Sequence, residues 1–156
     1  MLIREATPAD EAILARFGGA LMRQHHAFDP QRFICPPDPE DGYGRFLVSQ
    51  LGDADAVVLV AEQGGTVIGY VYAGLEPMSW KELRAACGFI HDVYVDATAR
   101  GAGAGEKLCR AAIEWLEEKG APRVLLWSAA PNASAQRLFD RLGFRRTMVE
   151  MTRERD

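Results

Sequence analysis

Between Phe89 and Gly120 a β-branched and aromatic run, a turn with glycine at 101, 103 and 105, and an amphipathic helical pattern follow in direct succession. Phe89 to Val95 reads as a strand, and Leu108, Ala112, Ile113 and Leu116 recur at the spacing of one helix face. Lys119-Gly120 closes the helix and Val124 to Trp127 supplies the next strand, so the stretch is a βαβ unit. A unit of this kind belongs in an α/β architecture, with a helix covering a sheet face.

The chain before it has a different rhythm. Ala56 to Ala61 and Thr66 to Tyr72 are β-branched runs around Gln63-Gly64-Gly65, the pattern of an antiparallel hairpin of two central strands. Upstream, Leu2 to Ala6 reads as a short strand, and Thr7-Pro8-Ala9-Asp10 offers an N-cap, a first-turn proline and an acid. The helix that follows carries Ile13, Phe17 and Leu21 on its apolar face and fades near His25-His26. Prolines make Phe28 to Pro39 irregular, Glu40 to Leu51 reads as a second helix, and another irregular stretch contains Pro77 and Trp80. Near the C-terminus Asn132 caps a helix bearing Ala135, Leu138, Phe139 and Leu142, Gly143 stops it, and Phe144 to Met151 reads as a final strand. With 156 residues, 48% of them hydrophobic, and no repeat or linker, residues 1–156 are expected to form one domain.

Charge and cysteine usage narrow the partners. The net charge is -4 and no Lys or Arg run is long enough to track a phosphate backbone, so nucleic acid is not an expected partner. Charges within Met1 to Thr7 stand where a secretory signal needs an apolar run, and no stretch has the length of a membrane span. A cytoplasmic location without a membrane partner is the expectation. Cys35, Cys87 and Cys109 are odd in number and lack CxxC spacing, and His25, His26, His91 and Cys35 lack paired ligand spacing, so no disulfide framework and no metal are expected. Phe28, Phe33 and Trp80 fall in irregular segments, where large apolar groups often line a pocket, whereas Trp127 reads as core.

The glycine turn admits two readings. Its backbone N–H groups and the start of the following helix can cradle a pyrophosphate, with Arg100 as a charge-assisted donor. A tight turn chosen only for backbone geometry accounts for the glycines equally well. A dinucleotide fingerprint does not fit, because Glu106 occupies the third glycine position of G-x-G-x-x-G, and no Gly-Lys-Ser/Thr follows for a Walker loop.

Arg100-x-x-Gly103-x-Gly105 resembles the pyrophosphate-binding signature of GNAT acyltransferases, and Asp92 to Asp96 is similar to that family's fourth strand. Asn132 to Phe144 resembles the family's later block, and Ile3-Arg4-x-Ala6-Thr7-x-x-Asp10 its opening, so the resemblance covers nearly the whole chain. It implies an α/β (α+β) fold. In that fold a central, mostly antiparallel mixed sheet of six to seven strands is flanked by about four helices and splayed between the fourth and fifth strands. The implied activity is transfer of the acetyl group of acetyl-CoA to a primary amine of a small molecule or peptide by direct attack. The alternative is an acyl-CoA-binding module that has lost catalysis. Dimers are frequent among such proteins, and a homodimer is carried as an expectation.

Residue by residue, the resemblance puts the cofactor on Val93, Tyr94 and Val95, on Arg100, Gly101, Ala102, Gly103, Ala104, Gly105 and Glu106, and near Asn132 and Phe139. A plain helix N-cap remains an equal reading of Asn132. An alkylammonium of pKa near ~10.4 must lose a proton before it attacks, and His91 and Asp92 are the candidates to receive it. A regular strand turns only one of two neighbours toward the acceptor, unless a bulge intervenes. Phe139 stands where most relatives carry a tyrosine thought to protonate the leaving thiolate, which puts that acid in doubt. The reaction itself stays open, since a thiol of pKa near ~8.5 is a tolerable leaving group and water, Ser134 or Tyr94 could serve instead. The Phe28 to Pro39 and Met78 to Gly88 stretches are expected to flank the amine.

Overall fold

The structure, a computed structural model, describes residues 1–156. Five strands form one sheet in chain order: β1 (Leu2–Glu5), β2 (Ala56–Gln63), β3 (Thr66–Glu76), β4 (Cys87–Val95) and β5 (Val124–Leu126). The first four pair antiparallel, and β4 pairs with β5 in parallel across the connection that contains α3 (Ala104–Glu118). Gly64 and Gly65, both at positive φ, make the tight β2–β3 turn that the sequence pattern requires. Side-chain alternation then divides the core. Val57, Leu59, Val71, Ala73 and Ile90 face Leu108, Ala112 and Leu116 of α3, while Val58, Val60 and Tyr70 face Leu14 and Phe17 of α1 (Glu11–Phe28) and Leu47 of α2 (Pro39–Ser49).

The start of α1 is fixed by charge. Asp10 is buried, accepts the Thr7 N–H at 2.8 Å and is gripped by Arg4 at 2.9 Å, and Arg4 also reaches Glu62. The guanidinium holds the Asp10 carboxyl down at about 2. The helix continues through His25 and His26 to Phe28. Their rings meet backbone carbonyls, His25 Nδ1 at Leu21 O and His26 Nδ1 at Phe33 O, so the pair secures the helix end and the following loop.

α1 and α2 touch where side chains are smallest. A Cβ at Gly44 would stand 2.5 Å from Ala15 Cβ, and one at Gly18 only 2.3 Å from the Tyr43 ring. These glycines bring α2 close enough to deliver Tyr43 to the sheet.

The strand count is five, against the six to seven expected, and Phe144 to Met151 forms no strand. The Phe144 N–H turns back to Phe139 O and its ring packs edge-on against Phe139. Beyond it, Arg146 bonds Gln136 and Glu150 pairs with Arg32, so side-chain anchors replace a ladder and Met148, Val149 and Met151 lie exposed. Trp127 is another correction: it is 68% exposed and no part of the core.

The helix contact predicts opposite outcomes for two glycines of α2. Gly44→Val should lower stability by about 2 kcal/mol in urea denaturation, because overpacking against Ala15 outweighs the gain in helix propensity. Gly42→Ala, which meets nothing within 4 Å, should raise it by up to about 1 kcal/mol.

Candidate active site at the parting of two strands

The β4–β5 ladder is short. It pairs Gly88 with Val124, Phe89 with Leu125 and Ile90 with Leu126, after which the strands separate. His91 and Trp127 are therefore the first residues past the pairing on each side. At the same level the β3–β4 register slips, since Tyr72 pairs with Asp92 and Ala73 with Ile90, leaving His91 as the extra residue of a β-bulge.

The bulge has two consequences. Ile90 and Val93 both pack toward α3, so the two residues between them share the opposite face: Asp92 meets Tyr43 and Tyr70, and His91 stacks on Tyr72. Strand alternation was expected to favour one of the two, and the bulge brings both to one side. Backbone parity changes as well. Before the bulge the Gly88 N–H points toward β5, donating to Arg123 O, whereas after it the Asp96 N–H points the other way, to Ile68 O beside β3. Alternation between these fixed points turns the N–H and C=O of Val93 and Val95 outward, onto an edge with no strand neighbour. Arg100 Nε takes one of these groups, Val95 O, at 3.1 Å.

Asp92 receives hydrogen bonds on Oδ2 from the hydroxyls of Tyr43 (2.5 Å) and Tyr70 (3.1 Å). Loss of hydration raises its pKa, and the two phenols, together with the nearby His91 and His25, offset part of that rise. Burial beside a carboxylate pushes both phenols upward too, so they remain donors. His91 Nε2 lies 3.0 Å from Glu76 Oε1, and its ring is sandwiched between Tyr72 and Phe89 at centroid distances of 4.9 and 4.7 Å.

At the far end of β4, Asp96 caps a short turn through the Thr98 N–H, and the chain enters α3 through the glycine turn. Gly101 and Gly103 both have positive φ, and a Cβ on either would meet nothing within 4 Å. Their amides thus border open space at the start of a helix of 15 residues. Gly105 differs: its Cβ would lie 3.3 Å from Leu138, so it serves the contact with α4 (Ala133–Arg141). Ala102 is exposed and Ala104 buried, and Glu106 is engaged by Arg110 at 2.8 Å, which offsets its charge beside the turn. Asn132 Oδ1 caps α4 by accepting the Ala135 N–H, leaving its amide nitrogen uncommitted, while the Tyr94 ring packs on Phe17 and the Phe139 ring on Phe144.

Tyr43, Tyr70, Tyr72 and Glu76 were not singled out from sequence. The available signal was Tyr70-x-Tyr72, two polar-tipped residues on one face of a central strand whose hydroxyls need partners; Tyr70 donates to Asp92 and Tyr72 to Gln50.

Asp92 supplies a pH test. A raised carboxyl pKa means that the folded protein keeps the proton to higher pH than the unfolded chain. Its stability contribution is therefore full below the unfolded value and is lost as pH rises through the folded one. Asp92→Asn should be progressively more stable relative to wild type as pH increases across that window, in paired denaturant titrations.

Known proteins match this chain in sequence and in fold. The sequence profile of the Acetyltransferase (GNAT) family matches residues 21–144. An uncharacterized N-acetyltransferase of Bacillus subtilis is 29% identical over 146 residues, covering 92% of this chain and 89% of its own. A mutant form of a Bacillus halodurans protein superposes with a TM-score of 0.84 at 24% identity, over 99% of both chains. The aminoglycoside N-acetyltransferase AAC(6')-Iy in complex with CoA does so at 0.76 and 19%, over 99% of this chain and 95% of that one. The chain belongs to the GNAT family of acetyltransferases.

Proposed function

We propose that the protein transfers the acetyl group of acetyl-CoA to the primary amine of a small molecule or peptide, by direct attack of the amine on the thioester. The observation that carries this reading is the outward edge of β4 after Ile90, continuous with an open glycine turn at its far end. An extended pantetheine arm, with its alternating amides, fits the outward N–H and C=O of Val93 and the outward N–H of Val95, passing Tyr94 between them, while Arg100 holds Val95 O. The pyrophosphate fits the amides from Gly101 to Gly105, with Arg100 alongside and the positive end of α3 beneath. Asn132 has an amide nitrogen to offer the arm, and Phe139 supplies only apolar surface.

With the pyrophosphate at that turn, the thioester reaches back to His91 and Asp92. Attack forms the C–N bond and places negative charge on the carbonyl oxygen, where an unpaired β4 N–H is a suitable donor. Before attack the ammonium gives one proton to Asp92, which passes it to solvent; collapse of the adduct then expels the CoA thiolate, and the nitrogen's second proton reaches that sulfur through water, so one proton is released per turnover. A carboxylate whose pKa is raised by burial is better matched to this task at neutral pH than an exposed one. His91, held by Glu76, stands beside it and is the other candidate acceptor.

Thiol release from acetyl-CoA with a panel of amines tests the reading. Steady turnover is expected, whereas cofactor binding without thiol release would identify a binding module. Asp92→Asn should lower kcat by about a hundredfold or more and flatten the acid limb of the pH–rate profile. The same effect in His91→Ala, with Asp92→Asn near wild type, would move the base to His91. Arg100→Ala should weaken CoA by about tenfold in calorimetry, the scale of one charge-assisted contact.

A further inference from the structure

The cleft holds more aromatic surface than the chemistry uses. Tyr43, Phe46, Tyr72, His91, Phe89 and Trp127 form an unbroken row of rings, with successive centroids 5.5, 5.7, 4.9, 4.7 and 5.3 Å apart. The row runs from α2 across β3 and β4 to the residue after β5, at the level where β4 and β5 part. Its interior is structural: Phe89 is 7% exposed, and the Tyr72 hydroxyl is bound to Gln50. Two of its members are exposed, Phe46 at 41% on α2 and Trp127 at 68% at the far end of the row. Two carboxylates accompany the rings, Glu76 against His91 and Asp92 next in sequence.

We infer that the acceptor is a primary amine carried on an aromatic body, an arylalkylamine, whose ring packs on the exposed Trp127 while its ammonium faces Asp92 and Glu76. The inference rests on the transferase reading above and adds the substrate class. Rings offer π-faces and edges to another ring and to a cation, and carboxylates next to them complement the ammonium. A polyhydroxylated amine would need hydrogen-bonding partners along its body, and Phe46, Phe89 and Trp127 present only ring faces, edges and one indole N–H.

The test compares kcat/KM for 2-phenylethylamine, n-hexylamine, spermidine and 2-amino-2-deoxyglucose at saturating acetyl-CoA. The aryl amine should lead n-hexylamine by about tenfold, and Trp127→Ala should erase most of that ratio. A preference for spermidine or the amino sugar, or an aryl-to-alkyl ratio unmoved in Trp127→Ala, overturns the assignment while leaving the transferase reading intact. Absence of thiol release with every one of the amines sinks that reading instead. Calorimetry then still decides the present one, because equal or absent binding of 2-phenylethylamine and n-hexylamine contradicts it. Sedimentation showing that Trp127→Ala converts a dimer to monomer without changing the amine ratio would assign the exposed ring to a second copy of the chain.

Discussion

A single inserted residue in β4 controls most of the site. If β4 ran regularly against β3, Asp92 would share the α3 face with Ile90 and its carboxylate would lie among the side chains of Leu108, Ala112 and Leu116. The bulge at His91 removes that conflict by placing His91 and Asp92 together on the face of α1 and α2. It also sets which amides look outward past the point where β5 leaves. One irregularity thus joins the face that holds the Asp92 carboxylate to an edge with unpaired backbone groups, and that edge depends on β5 parting after Leu126.

Around that irregularity the fold supplies electrostatic support. A carboxylate removed from water is costly unless it is bonded, and Asp92 takes two phenolic hydroxyls from different elements, Tyr70 on β3 and Tyr43 on α2. Tyr43 reaches it because Gly18 and Gly44 let α2 lie against α1. Helix packing some way from the cleft is in this sense part of the site. The ionised groups at the entry to α1 have a different role. Arg4, Asp10 and Glu62 tie β1, the first turn and β2 together, and the low Asp10 pKa marks a pair that favours the charged state.

Much of this was legible in the residues. The β2–β3 hairpin, the β4–α3–β5 unit, the capped start of α1 and the glycine turn each carry a local signal, and each element formed where that signal lies. The last segment was misread because Phe144 to Met151 has strand-like composition, whereas pairing requires a free edge in register. Here Arg146 and Glu150 hold it by side chains instead. The bulge was not legible, since no glycine or proline marks it and His91 is an ordinary strand residue locally. The Asp92 environment was hidden for a related reason: Tyr43 is 49 residues away in sequence and Tyr70 is 22. Trp127 misled in the opposite direction, because an apolar residue ending a strand reads as core while the strand beside it has already turned away.

The central claim is that the outward backbone of β4 beyond the bulge receives the acyl carrier. Amide hydrogen exchange with and without saturating acetyl-CoA addresses it directly, because Val93 and Val95 have outward N–H groups while that of Asp96 is already bonded to Ile68 O. The account predicts strong slowing at Val93 and Val95 on binding, together with slowing in the Gly101 to Gly105 turn and little change at Asp96. Saturation of the protein with Val93 and Val95 still exchanging at their free rates would contradict it.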